Sequence, residues 1–115
     1  MVVDDSPDVR YLVGAYVEDA GVEVVAEADG LEAALERLES AAPDVVVVDA
    51  NMPGGDGYEA AAALRARRPG LPVVLLTALV DDTVRERARA TGIDAVLDKG
   101  QFDRLAAVAR QLAGR

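Results

Sequence analysis

Short runs of aliphatic, largely β-branched residues alternate along this chain with longer segments whose apolar residues recur every three to four positions. The apolar runs fall at 1–3, 22–26, 45–48, 73–76 and 95–97, each of strand length. Five helices are predicted between and after them. In the first, Ser6 is placed to cap and Pro7 to open the helix, Val9, Leu12, Val13, Tyr16, Val17 and Ala20 share one face, and Gly21 stops it. The second begins after Asp29, carries Leu31, Ala34, Leu35 and Leu38 on one face, and is closed by Pro43. The third spans 58–68 and ends at the turn signal Pro69-Gly70. The fourth, 81–91, has a thin stripe of Val84, Ala88 and Thr91, so it is expected to be the least firmly packed. The fifth, 102–113, sets Phe102, Leu105, Val108, Ala109 and Leu112 toward a core.

Alternation of this kind is the pattern of βα units around a parallel sheet. The expected fold class is α/β, a doubly wound parallel sheet of five strands flanked by five helices. With 115 residues there is room for one domain, 1–115, and no linker or second unit. Ligands of such sheets bind outside the carboxyl ends of the strands. The residues there are Asp4 and Asp5 after the first run, Asp49 after the third, Thr77 after the fourth, and Asp98 and Lys99 after the fifth.

Composition narrows the chemistry available on that rim. Twelve basic against twenty-one acidic residues give a net charge of −9, which opposes direct binding to a phosphate backbone. The absence of cysteine and histidine excludes disulfides, thiol nucleophiles, zinc fingers and imidazole bases. No apolar run approaches the roughly 20 residues of a membrane span and no signal-peptide pattern opens the chain, so a cytoplasmic protein without a membrane partner is expected. Asp4, Asp5 and Asp49 would repel one another unless a cation sits between them, and an all-oxygen set suits a hard ion such as Mg2+. Asp29 and Asp44 read as ordinary cap and turn aspartates. Eleven of the twelve basic residues are arginine; the single lysine, Lys99, is placed to pair with Asp49 or with an anion bound to it. Thr77 reads either as a helix-capping hydroxyl or as part of the site. The glycine-rich segment 51–57 directly after Asp49 can bring backbone groups close to a ligand, but it is neither a Walker A loop nor a dinucleotide fingerprint.

Taken together, Asp4-Asp5, Asp49 followed by Met52-Pro53 and Asp56-Gly57, Thr77-Ala78, and Lys99 resemble the phosphoacceptor receiver domain of bacterial two-component response regulators, over essentially the whole chain. The resemblance implies the receiver, or flavodoxin-like, fold with strand order 2-1-3-4-5. It also implies a phosphorylation-dependent signalling switch: Asp49 would accept a phosphoryl group from a sensor histidine kinase, a phosphotransfer protein or acetyl phosphate. By the same resemblance, Asp5, Asp49 and the Asn51 backbone carbonyl would bind Mg2+ directly, Asp4 would hold its water, and Lys99 and Thr77 would contact phosphoryl oxygens. Asn51 and Leu79 flank the site and would tune the phosphoryl lifetime. The face formed by the fourth helix, fifth strand and fifth helix would be read by a partner, an output domain or a second copy. The chain would catalyse only its own phosphorylation and dephosphorylation.

Three departures from the family pattern stand out. Val96 replaces the usual aromatic three residues before the lysine, and Gly100 the usual proline after it; Lys-Gly resembles receivers that precede helix-turn-helix output domains. The first apolar run is also shorter than the family's, which suggests missing or misassigned N-terminal residues. Val96 and Gly100 motivate an alternative, a switch-impaired receiver that serves mainly as a protein-interaction module. An aspartyl-phosphate hydrolase is less favoured because Asp49-Ala50-Asn51 lacks a second aspartate, and a flavin protein because the first strand-end loop is acidic.

Overall fold

Side-chain alternation along the central strands sorts the core into two faces in the computed structural model, which describes residues 1–52 and 55–114. The main sheet comprises β1 (Val2–Val3), β2 (Glu27–Ala28), β3 (Val46–Asp49), β4 (Val73–Thr77) and β5 (Ala95–Asp98). Its order is β2-β1-β3-β4-β5 and every pairing is parallel. The helices are α1 (Pro7–Asp19), α2 (Leu31–Ala41), α3 (Gly57–Arg67), α4 (Asp82–Thr91) and α5 (Phe102–Ala113). Val3, Val46, Val48 and Val73 pack with Ala34, Leu38, Ala60, Ala61 and Leu64 of α2 and α3. Val2, Val47, Val74, Leu76 and Leu97 pack on the opposite face with Val13 and Val17 of α1 and Leu105, Ala109 and Leu112 of α5. A third cluster, Ala50, Tyr58, Leu75 and Ala88, lies beneath α4.

Local signals set the helix starts. The Ser6 hydroxyl accepts from the Val9 amide at 3.3 Å with Pro7 in the first turn, as the sequence predicts. Asp56 caps α3 by accepting from the Glu59 amide at 2.8 Å, which brings the helix start to Gly57. Asp81 likewise caps α4, so this aspartate stands just outside the helix. α4 is thinly packed: Ala88 is its one fully buried residue among those described.

The structure corrects one predicted strand. Residues 22–26 form no strand, and β2 is the ladder Glu27–Ala28 that follows them. Register supplies the reason: Val2 pairs with Glu27 and Val3 with Ala28, so residues 22–25 lie beyond the start of β1 and have no partner there. The segment after β3 also has more order than a plain loop, since Asn51–Met52 and Gly55–Asp56 form a short antiparallel ladder. Residues Pro53 and Gly54 of the glycine-rich motif lie outside the described residues. Among the described residues no helix is long and apolar enough to cross a membrane.

Candidate functional site

Parallel register places the rim residues at one level. Val3 pairs with Val48 and Asp49 with Leu76, so Asp4 is carried level with Asp49; Thr77 pairs with Asp98, and Lys99 follows directly. Alternation then assigns directions. Val2, Val47 and Leu97 face α1 and α5, and two residues further on Asp4, Asp49 and Lys99 share that parity, whereas Thr77 follows Leu75 of the α4 side. The contacts agree with it: Lys99 Nζ lies 3.0 Å from Asp49 Oδ1 and 3.8 Å from Asp4 Oδ2.

Asp49 is only 2% exposed, and the Asn51 amide donates to its Oδ1 at 3.3 Å. Asp4 is equally buried; its Oδ1 accepts from the Ser6 amide at 2.9 Å, while its Oδ2 is buried with no hydrogen-bond partner among the described residues. Burial, reinforced by the neighbouring charges of Asp49 and Asp5, pushes the Asp4 carboxyl above the usual carboxylate range against the opposing pull of the Ser6 amide and Lys99. Asp5 is exposed, and one carboxylate oxygen from each of Asp4, Asp5 and Asp49 lies within 4.8 Å of the others. An orphaned buried oxygen within an all-carboxylate cluster fits a hard divalent cation such as Mg2+.

Thr77 reaches the same rim with its side chain otherwise engaged. Its hydroxyl donates to the Leu79 carbonyl at 3.2 Å, and α4 is capped by Asp81 instead. Thus Asp4, Asp5, Asp49 and Lys99 are drawn together, and Thr77 stands beside them in a local turn.

Arg10 and Gln101, which sequence reasoning did not single out, and Gly57, which it placed in the glycine-rich segment, support this arrangement. Arg10 Nη1 donates to the Asp4 carbonyl at 2.7 Å while its Nε pairs with Glu27 at 3.1 Å, tying α1 and β2 to the acidic loop. Gln101 accepts from the Asp98 amide at 3.2 Å beside Lys99. Gly57 donates its amide to the Ala50 carbonyl at 2.9 Å, closing the turn after Asp49. A Cβ at Gly57 would stand 2.9 Å from the Ala50 Cα and closer still to the Asp49 carbonyl oxygen. The Asp56-Gly57 pair was the available signal for that close approach; nothing in the sequence marks Arg10 or Gln101, because their partners are distant or depend on a turn.

The sequence profile of the family described as "Response regulator receiver domain" matches residues 1–110. The chain is similar to the response regulator Rre1 of Synechocystis sp., 40% identical over 118 residues, covering 100% of this chain and 51% of that protein. It is similar to the chemotaxis protein CheY of Listeria monocytogenes, 34% identical over 111 residues and covering 91% of this chain and 89% of that one. Among solved structures, the chemotaxis protein CheY4 of Vibrio cholerae superposes with a TM-score of 0.88 at 29% identity, covering 96% of this chain and 94% of the other. The chain spans about half the length of Rre1 and about a quarter (23% and 27%) of two protein-glutamate methylesterases that also match.

Proposed function

This chain belongs to the response regulator receiver domain family, and from that premise we propose that Asp49 is the phosphoacceptor of a phosphorylation-dependent signalling switch. The observation that carries the assignment is the pairing of buried Asp49 with Lys99 at 3.0 Å inside a cluster of three carboxylates. A carboxylate oxygen of Asp49 attacks the phosphorus of a phosphohistidine on a sensor kinase or phosphotransfer protein; a P–O bond forms, and the P–N bond breaks as the imidazole leaves. Lys99 neutralises charge gathering on the transferred group, and the Asn51 amide keeps Asp49 oriented. Thr77 is to turn its hydroxyl from Leu79 toward a phosphoryl oxygen. Asp5, Asp49 and the Asn51 carbonyl would hold Mg2+, with Asp4 behind them, and the ion when bound supplies charge neutralisation at the phosphoryl oxygens.

The chain acts on itself and has no multiple-turnover reaction of its own. Residues 1–115 work as one cytoplasmic domain, making no direct contact with nucleic acid or membrane. The new charge and acceptor oxygens on Asp49 shift a two-state equilibrium that alters the α4–β5–α5 face for an output domain, a separate partner or a second copy.

The test is intact mass after incubation with Mg2+ and acetyl phosphate or phosphoramidate. A single phosphoryl adduct is expected that is absent without Mg2+ and absent in Asp49→Asn. An adduct that persists in folded Asp49→Asn, or none with any donor including a phosphorylated histidine kinase, overturns the assignment.

A further inference from the structure

Outside the carboxylate rim, a second polar cluster joins α3 to α4. The Arg87 guanidinium lies 4.0 Å from the centroid of the Tyr58 ring, and its Nη2 is 2.6 Å from Asp56 Oδ2. Each contact is of a favourable kind, a cation over an aromatic face and a charge-assisted hydrogen bond. Both partners of Arg87 belong to the segment that leaves Asp49. Asp56 pairs with Asn51 in the short ladder, and the Asn51 amide is the one that donates to Asp49 Oδ1. A continuous series of contacts therefore runs from the acceptor carboxylate through Asn51 and Asp56 to Arg87.

The other side of the cluster is apolar. Tyr58 is buried with Ala50, the residue after the acceptor, and with Leu75 and Ala88, while Val84, Ile93 and Val96 border it. α4 adds little apolar burial beyond Ala88, so its polar ties weigh heavily in where it sits. Arg85 ion-pairs with Asp82 inside the same helix, whereas Arg87 reaches across to α3's cap. The Asp56 carboxyl is held below the usual carboxylate range by the Glu59 amide first and then by Arg87, so the anion the clamp needs is favoured in place.

We infer that Arg87 is a positioning residue that couples the acceptor loop to α4, so that the placement of α4 depends on what is bound at Asp49. The inference rests on the phosphoacceptor assignment above. Loading Asp49 replaces its contacts with the Asn51 amide and Lys99, the Asn51–Asp56 ladder adjusts, and Arg87 carries the adjustment to a helix held by few other contacts. Coupling of this kind is reciprocal: if loading changes the clamp, breaking the clamp changes the affinity for the load.

The experiment is amide hydrogen exchange on the full chain, with and without Mg2+ plus beryllium trifluoride as the phosphoryl mimic. It compares wild type with Arg87→Ala, Arg87→Lys and Asp56→Asn, beside intact-mass measurement of the acetyl phosphate adduct on each. In wild type, loading is expected to change α4 exchange by at least about fivefold, the lower end of ordinary coupling strengths. In Arg87→Ala the α4 response falls below about twofold while the adduct still forms and α1 and α5 exchange as in wild type. Asp56→Asn keeps a capping side chain but loses the ion pair, so it behaves like Arg87→Ala; Arg87→Lys keeps the charge but not the planar group over Tyr58, so its response falls between those of wild type and Arg87→Ala. A wild-type α4 response in Arg87→Ala, or a loss of protection spread evenly through the molecule, overturns the inference. A wild type that takes no adduct in the mass measurement overturns the acceptor assignment and, with it, the coupling.

Discussion

The Oδ2 atom of Asp4 is buried without a hydrogen bond to any described residue, facing Lys99 at 3.8 Å and clustered with the carboxylates of Asp5 and Asp49. A carboxyl raised by burial is a burden above its folded-state pKa, because the unfolded chain ionises more readily. Asp4→Asn keeps the acceptor for the Ser6 amide and removes the buried charge. The metal-free variant is therefore expected to gain on the order of 1 kcal/mol at neutral pH, a rise of roughly 4 °C in melting temperature, and to respond less to Mg2+. A lower metal-free melting temperature would contradict this. Gly57 makes the opposite case. The backbone of Asp49 and Ala50 occupies the space a side chain would need, and backbone cannot give way as a flexible side chain can. Gly57→Ala should lose about 3 kcal/mol, read as a fall of roughly 12 °C in thermal denaturation. The sequence showed this glycine beside Asp56 but not what it touches, since that contact exists only once β3 and α3 are packed.

Periodicity located the helices well, and α5 has the range its apolar stripe predicts, Phe102–Ala113. β2 did not follow its apolar run, because pairing register and not hydrophobicity decides which residues of an extended segment join a ladder. α4 was legible as the weakest helix from Val84, Ala88 and Thr91 alone, and the structure buries only Ala88 fully. Its amides should exchange at least about 100-fold faster than those of β4, whose five residues are all buried, when native-state hydrogen exchange is measured on the unloaded chain. Equal protection in the two would show that α4 opens only with the whole fold. The Arg87 clamp was not legible, because Asp56 and Arg87 are 31 residues apart and meet through helix packing.

At the scale of the molecule, the Met1 amine is buried and donates to the Val45 carbonyl at 2.9 Å. Burial lowers its pKa from 8.0 to about 6 against the opposing pull of Asp44. The fold thus favours the neutral amine, and between those two values the unfolded chain holds more protons. Stability of the 115-residue chain should therefore rise from about pH 6 to about pH 8, by an amount on the order of 2 kcal/mol. Melting temperatures across that window check it, and acetylating the amine should flatten the slope. What the sequence by itself determined is the set of properties that repeat locally: the alternation of strands and helices, the cap at Ser6, the thinness of α4 and the acidic residues at strand ends. Each follows from the period of side-chain direction and from hydrogen bonds made within a few residues. The pairing of Lys99 with Asp49 was legible as one of two options, and tertiary structure alone decided its 3.0 Å geometry, that Thr77 turns to Leu79 and that Arg10 braces Asp4. Strand register and parity fix which side chains share a face at the rim, and neither is defined until the strands pair.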